Sequence, residues 1–168
     1  MNAVQVLRHM LATLAYRAAK VVRDAPEGFA STVAGPAARR PVQIVAHLGD
    51  LMDWGVTLAR DEYVWTAAGS DDWLREVQRF FDGLAALDNE LASREITDDA
   101  IEKLIQGPIA DALTHVGQLS MLRGLAGVPV RPESYARAEI KIGRVGLDQA
   151  APRREFDGDA SFKKADSR

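Results

Sequence analysis

The chain has 168 residues, of which 47% are hydrophobic and 27% charged, and its net charge is −3 at pH 7. This length fits one domain with a sizeable core, and the dispersed charges lack the basic cluster that nucleic-acid binding needs. The absence of cysteine excludes disulfides, thiolate metal sites and a cysteine nucleophile. Since no apolar run could cross a bilayer and the first residues lack a signal-peptide pattern, the sequence predicts a cytoplasmic protein without a membrane partner.

Apolar residues that recur every three or four positions predict four helices. The first helix runs from Asn2, a predicted N-cap, to about Arg23, and Pro26 and Gly28 stop it. A loop rich in glycine, alanine and proline continues to Arg40. A loop of this length is able to cross from one end of a helix bundle to the other.

The second helix begins at Pro41, which suits a first helical position, and fades near Gly69. The third helix begins at Ser70 or Asp71 and has the most regular apolar stripe in the chain. The stripe consists of Trp73, Val77, Phe80, Leu84, Leu87 and Leu91. This spacing predicts that one face of the third helix lies in the core.

Thr97 is the predicted N-cap of a fourth helix, which Gly107 and Pro108 interrupt. The helix then restarts and runs to about Ala126, with Gly127 in the position that follows a helix C-cap. Amphipathic helices in series are typical of a helix bundle. The predicted fold class is therefore all-α, with a four-helix bundle.

The predicted bundle covers residues 1–127, and residues 128–168 form a C-terminal extension with an irregular, partly extended structure. Its AEIKIGRVG segment is expected to form an extended strand or an arm. The last stretch has few apolar residues and balanced charge, so we expect it to fray, to be disordered or to wrap a neighbour.

Asp111 and His115 lie four residues apart on the last helix, so they share one face of it. Because that helix is apolar around most of its circumference, we expect Asp111 to be buried. A buried carboxylate needs a cation, a metal or several hydrogen-bond donors. Two interpretations remain open: a functional site, or a carboxylate that only accepts a hydrogen bond from His115 or from a neighbouring helix.

His47 shares one side of the second helix with Leu51 and Trp54, whereas Asp50 and Asp53 are expected to be solvated. An inward histidine is either a satisfied core residue or a ligand. Two histidines and one carboxylate from two helices form a metal site with open positions for water and substrate. A ferritin-like di-iron centre is set aside, because the chain has no repeated Glu-x-x-His motif.

Two segments, PVQIVAHLGDLMDW and HVGQLSMLRGLAG, resemble the DinB-like (DinB/YfiT) metalloprotein family over roughly residues 1–127. Members of this family have an inward histidine on the second helix and an H-x-x-x-H-x-G-Q pattern on the last. The resemblance implies a homodimer whose His47 and His115 bind a divalent metal, commonly nickel or zinc. Asp111 replaces the third histidine, and a carboxylate should also suit iron or manganese.

The resemblance further implies an enzyme that acts on a small electrophilic substrate, by transfer of a low-molecular-weight thiol or by hydrolysis. Gln118, one turn beyond His115, is the candidate for catalysis as a substrate-orienting group, or it forms a hydrogen bond between helices. Tyr135, Arg137 and Arg144 are expected to reach the bundle mouth and contact an anionic thiol. The alternative function is a non-catalytic, metal-binding, stress-associated dimeric bundle.

Overall fold

A computed structural model describes residues 1–156 and confirms the all-α fold, with four helices packed together. The helices are α1 (Ala3–Val22), α2 (Pro41–Ala59), α3 (Trp73–Ser93), α4 (Asp98–Leu104) and α5 (Ala110–Leu125). A π-helical turn, Ile105–Ile109, joins α4 to α5, and together they form the fourth helix of the bundle. Short 3-10 turns lie at Phe29–Ser31 and Tyr135–Arg137. Over residues 1–156, no helix has the length and apolarity needed to span a membrane.

The helix starts follow the predicted caps. Asn2 accepts a hydrogen bond from the backbone N–H of Gln5, and the Gln5 side chain accepts one from the backbone N–H of Asn2. This reciprocal capping box satisfies two N–H groups that would otherwise lack partners. Pro41 occupies the first turn of α2, and the Thr97 hydroxyl accepts from the N–H of Ala100 at the start of α4.

The second helix is shorter than predicted. It ends at Ala59, and residues 60–72 form a loop. Asp61 and Tyr63 have left-handed φ values of 60° and 55°, which a continuing right-handed helix does not accommodate. The N-cap of α3 is Asp72, whose side chain accepts a backbone N–H, so the predicted start of the third helix is slightly early.

The interruption of the fourth helix is confirmed, and its form is a π turn between α4 and α5. Gly107 leaves the helical region there, with φ −93° and ψ −106°. The Trp54 ring of α2 lies over Gly107 so closely that an added Cβ would be 3.0 Å from the ring. Pro108 follows and lacks the N–H that a regular helix needs. The π turn therefore lets both α4 and α5 pack against α2, although the chain changes direction between them.

Gly127 ends α5 as predicted. Its φ of 78° is left-handed, a conformation that glycine adopts without steric cost. The N–H of Val128 donates to the carbonyl of Arg123, and the N–H of Gly127 donates to that of Gly124. This is the Schellman arrangement, which satisfies carbonyls at a helix end.

The core lies along the predicted apolar stripes. Every residue of the third-helix stripe after Trp73 is buried, and Trp73 is half-buried against Phe29. The largest fully buried side chains are Phe29, Phe80, Leu7, Leu11, Leu14, Ile44, Leu48, Leu51, Met52, Leu58, Leu84 and Leu87. They come from α1, α2, α3 and the first connection, so the core is continuous through the bundle.

The C-terminal extension packs on α1. The carboxylate of Glu133 is fully buried and accepts hydrogen bonds from the Tyr16 hydroxyl at 2.8 Å and from Lys20 Nζ at 2.7 Å. Val145 is buried in the main core. Residues 130–147 therefore cover part of the bundle.

The AEIKIGRVG segment does not form a strand, because the one bridge in the described residues pairs Glu133 with Glu155. The segment instead contains a turn, in which Arg144 donates its backbone N–H to Lys141. The last stretch, which is expected to fray or to wrap a neighbour, begins at Ala151. Its first six residues lie along residues 132–134, where the N–H of Phe156 donates to Pro132 and the N–H of Ser134 donates to Arg154. Residues 157–168 lie outside the described residues.

Candidate metal centre

His47, Asp111 and His115 converge where α2 faces α5. His47 Nε2 is 3.2 Å from Asp111 Oδ2, and His115 Nε2 is 3.4 Å from Asp111 Oδ1. The imidazole rings are 4.9 Å apart between centroids and nearly perpendicular, at 89°. One ligand atom from each of the three residues lies within 4.8 Å of the other two. The two helices thus direct two nitrogens and a carboxylate to one point.

The predicted burial of Asp111 is wrong, since 45% of its side chain is exposed. The reason is that α5 is less buried than its composition indicates: Ala110, Thr114 and Gly117 all face solvent. His47 and His115 keep 22% and 10% of their side chains exposed. The three groups therefore lie at the edge of the core, where an ion and a small molecule can reach them.

Gln118 fixes the orientation of His115. Its side-chain oxygen, Oε1, is 2.8 Å from His115 Nδ1 and accepts the hydrogen of that nitrogen. A neutral imidazole that donates from Nδ1 has a lone pair on Nε2. In that tautomer His115 Nε2 is an acceptor 3.4 Å from Asp111 Oδ1, and a cation between these two atoms would contact both.

The donor set fits a divalent metal ion. Each histidine lies beside a different oxygen of Asp111, at 3.2 and 3.4 Å, and one ligand atom from each residue lies within 4.8 Å of the other two. Two imidazoles and a carboxylate suit zinc, iron, nickel or manganese. No lysine or arginine within residues 1–156 forms an ion pair with Asp111. An ion at this position would be held by His47, Asp111 and His115 and supported by Gln118.

A cleft of about 520 Å³ opens onto the three groups. One wall is the connection before α2, and the others are α2 and α5. The lining residues are Ala34, Ala37, Ala38, Arg39, Ile44, His47, Asp111, His115, Gln118, Met121 and Leu122. Apart from the three candidate ligands, Arg39 and Gln118, the lining is apolar.

A second cleft, of about 420 Å³, borders Asp111 from the side of the π turn. Trp54, Gln106, Gly107, Ala110 and Thr114 complete its lining. Asp111 therefore separates two clefts, and the candidate metal position can be approached from two directions.

The sequence did not identify Trp65 or Arg39 as neighbours of the site. The Trp65 ring lies 5.8 Å from the rings of both His47 and Trp54, and it belongs to the loop that was predicted as helix. Arg39 lies in the connection before α2. The available signals were a tryptophan and an arginine in irregular connections on either side of α2.

Asp50 is not solvated as predicted, but buried between α2 and α3. Arg79 pairs with it at 2.9 Å and with Glu76, also buried, at 2.8 Å. Burial alone raises the pKa of Glu76, but hydrogen bonds from Ser70 and Arg79 outweigh it and leave that pKa below its usual value. Asp53, which also pairs with Arg79, is exposed as predicted.

The expected approach of the C-terminal extension to the site is wrong. Tyr135 packs edge-on against Tyr16, with the Arg17 guanidinium 4.1 Å from its ring centre. Arg144 pairs with Glu139, and Arg137 is exposed. Within the described residues, the lining of the larger cleft includes nothing from the extension. The packing of the extension on α1 draws these side chains away.

The fold and the site thus define a four-helix bundle with a candidate centre of two histidines and one carboxylate. No protein-family model matches the chain, and neither the curated proteins nor the solved structures include a significant match. Interpretation of the site therefore depends on its own chemistry.

Proposed function

We propose that this chain is a DinB-like metalloenzyme that holds one divalent ion on His47, Asp111 and His115. Its substrate is a small electrophile, and its reaction is the transfer of a low-molecular-weight thiol or hydrolysis. The observation that carries this proposal is the convergence of three ligand groups in the lining of a cleft, with no lysine or arginine paired to Asp111 among residues 1–156. The four-helix fold supports the family assignment, and the proposed active form is a homodimer.

The chain's own residues prepare the site in three ways. Gln118 holds His115 in the tautomer whose Nε2 faces the ligand position. The apolar walls limit water around a bound substrate. Asp111 borders both clefts, which gives room for two reactants and favours thiol transfer over hydrolysis.

An ion held by His47, Asp111 and His115 would lower the pKa of a water or thiol bound to it toward neutrality. In thiol transfer, the sulfur forms a bond to the electrophilic carbon, and the leaving group departs with its bonding electron pair. The thiol proton passes to solvent. Because the chain has no cysteine, the sulfur must arrive with a second substrate.

Metal content tests the site. Purified wild-type protein, dialysed against zinc, nickel, iron or manganese and analysed by mass spectrometry, should contain about one ion per chain. The His115→Ala variant should lose it, and His9→Ala should keep it, because His9 lies on α1 outside the group of ligands. A wild-type protein that takes up none of these metals would show that the three groups are not a metal site.

Activity tests the reaction. Metal-loaded protein should accelerate the consumption of chlorodinitrobenzene by glutathione, bacillithiol or mycothiol, and His115→Ala should not. If metal-loaded protein shows neither thiol transfer nor hydrolysis over a range of electrophiles, the alternative of a non-catalytic metal-binding bundle replaces the enzyme.

A further inference from the structure

Arg39 contributes a positive charge to the lining of the larger cleft. Its side chain is exposed and makes no hydrogen bond or ion pair with any residue among 1–156. The adjacent Arg40, in contrast, pairs with Asp71 at 2.8 Å. A guanidinium fork matches the two oxygens of a carboxylate. The lining of the cleft therefore offers a place for an anion.

The rest of the lining favours an apolar body. Besides the candidate ligands, Gln118 and Arg39, it consists of alanine, isoleucine, methionine and leucine side chains. Met121 is 61% exposed, which leaves a large apolar side chain in contact with solvent beside the cleft. A volume of about 520 Å³ is in the range of sites for small molecules. A ligand that fills this cleft would cover Met121 with its apolar part.

The charges favour a single carboxylate over a phosphate. Among the described residues, Arg39 is the one lysine or arginine in the lining, and a phosphate dianion needs several donors. In the same cleft, a divalent ion with one carboxylate ligand would keep a net charge of roughly +1. A ligand with one carboxylate and one metal-binding group would complement both charges.

We propose that the cleft selects amphipathic monocarboxylates: the carboxylate pairs with Arg39, the apolar chain contacts the cleft walls, and the far end reaches the His47–Asp111–His115 centre. This inference rests on the proposed metal function. Arg39 then selects the substrate, whether the reaction is thiol transfer or hydrolysis.

Cobalt-loaded protein provides the test, because coordination of a thiol to cobalt changes its absorption without any turnover. The probes are mercaptohexanoate and mercaptohexanol, which share the thiol and the chain and differ in the carboxylate. Wild-type protein should bind the acid about tenfold more tightly, the size of one partly exposed charged hydrogen bond. Arg39→Met should reduce this preference to about one. Arg40→Met removes the same charge one residue away and should keep the preference.

The outcomes separate the two proposals. If cobalt does not bind, the metal site itself is absent and both proposals fall. If cobalt binds and both thiols change its absorption equally, or neither does, the metal site stands and selection by Arg39 is wrong. The same holds if Arg39→Met retains the preference. Octanoate should compete with mercaptohexanoate, and inorganic phosphate at equal concentration should not; strong competition by phosphate would contradict a carboxylate site.

Discussion

Two polar clusters on α2, only three residues apart, differ in how they balance charge. Asp50 faces α3, where Arg79 pairs with it and with Glu76. His47 faces α5, where it meets Asp111 and His115. The first cluster contains its own cation, and the second has a carboxylate and two imidazoles with no lysine or arginine paired to them among residues 1–156.

The comparison separates a structural cluster from a candidate binding site. Arg79 satisfies its neighbours through several contacts, which include a 2.6 Å hydrogen bond to the carbonyl of Ala46. Carboxylates of the protein itself balance the positive charge of Arg79, so this cluster needs no ion from solvent. At the other cluster, 45% of the Asp111 side chain is exposed, so a cation from solvent can balance its negative charge.

The largest expected effect is on the cluster that contains its own cation. Arg79→Met leaves two buried carboxylates, Asp50 and Glu76, without a cation and should lower the free energy of unfolding by about 3–5 kcal/mol. Urea denaturation followed by circular dichroism measures this. Arg75→Met, on the exposed face of α3, should change stability by less than about 0.5 kcal/mol. A loss of under about 1 kcal/mol for Arg79→Met would show that this cluster is not structural.

The second expected effect is a gain in stability that depends on metal. Zinc at a hundredfold excess over its dissociation constant should raise the free energy of unfolding by about 3 kcal/mol, because only the folded chain presents all three ligands together. Thermal denaturation with and without zinc measures the shift. His115→Ala should abolish it, whereas Arg75→Met should retain it in full. Equal zinc-dependent shifts of the denaturation temperature in wild type and His115→Ala would show that zinc binds elsewhere on the protein.

A smaller change should follow from the residue that orients His115. Gln118→Ala removes the acceptor of the Nδ1 hydrogen and should weaken metal binding tenfold to a hundredfold, about 1.4–2.7 kcal/mol. Gln118→Glu keeps an acceptor and should restore most of the affinity. Competition with a chelator of known affinity measures both, with Gln78→Ala on α3 as the control. If alanine and glutamate have the same effect, Gln118 does not act through His115.

The correct predictions concerned features that depend only on residues close together in the sequence. The caps at Asn2 and Thr97 depend on residues within one turn, so the sequence alone is enough. The burial of Asp50 and the exposure of Asp111 depend instead on which helix lies opposite, and these predictions were wrong. Trp65 was missed for the same reason, since its contact with the site exists only because α2 ends early.

The convergence of the three candidate ligands came from a different kind of information. Periodicity indicated that His47 points inward, and the spacing of Asp111 and His115 placed both on one helix face. That α2 and α5 face each other came from the resemblance to a known bundle. Arg39 remained hidden, because no periodic pattern places a residue of an irregular connection.

The smallest expected effect concerns the dependence of stability on pH at the C-terminal extension. Burial alone raises the pKa of Glu133, but hydrogen bonds from Lys20 and Tyr16 outweigh it and hold that pKa below its usual value. Because the folded pKa is lowered, the contribution of Glu133 is present above the unfolded value of about 4.3 and is lost as the pH falls through the folded value.

Glu133→Gln should therefore cost about 1 kcal/mol near neutral pH, and the difference from wild type should shrink below about pH 4. Urea denaturation at a series of pH values measures this, and Glu62→Gln, in the exposed loop after α2, should follow wild type throughout. Zinc binding should be unchanged, because Glu133 contacts α1 and the metal ligands lie on α2 and α5. A difference that grows as the pH falls would mean that Glu133 is protonated in the folded chain, and the extension would then be held by a neutral hydrogen bond with no ion pair to Lys20.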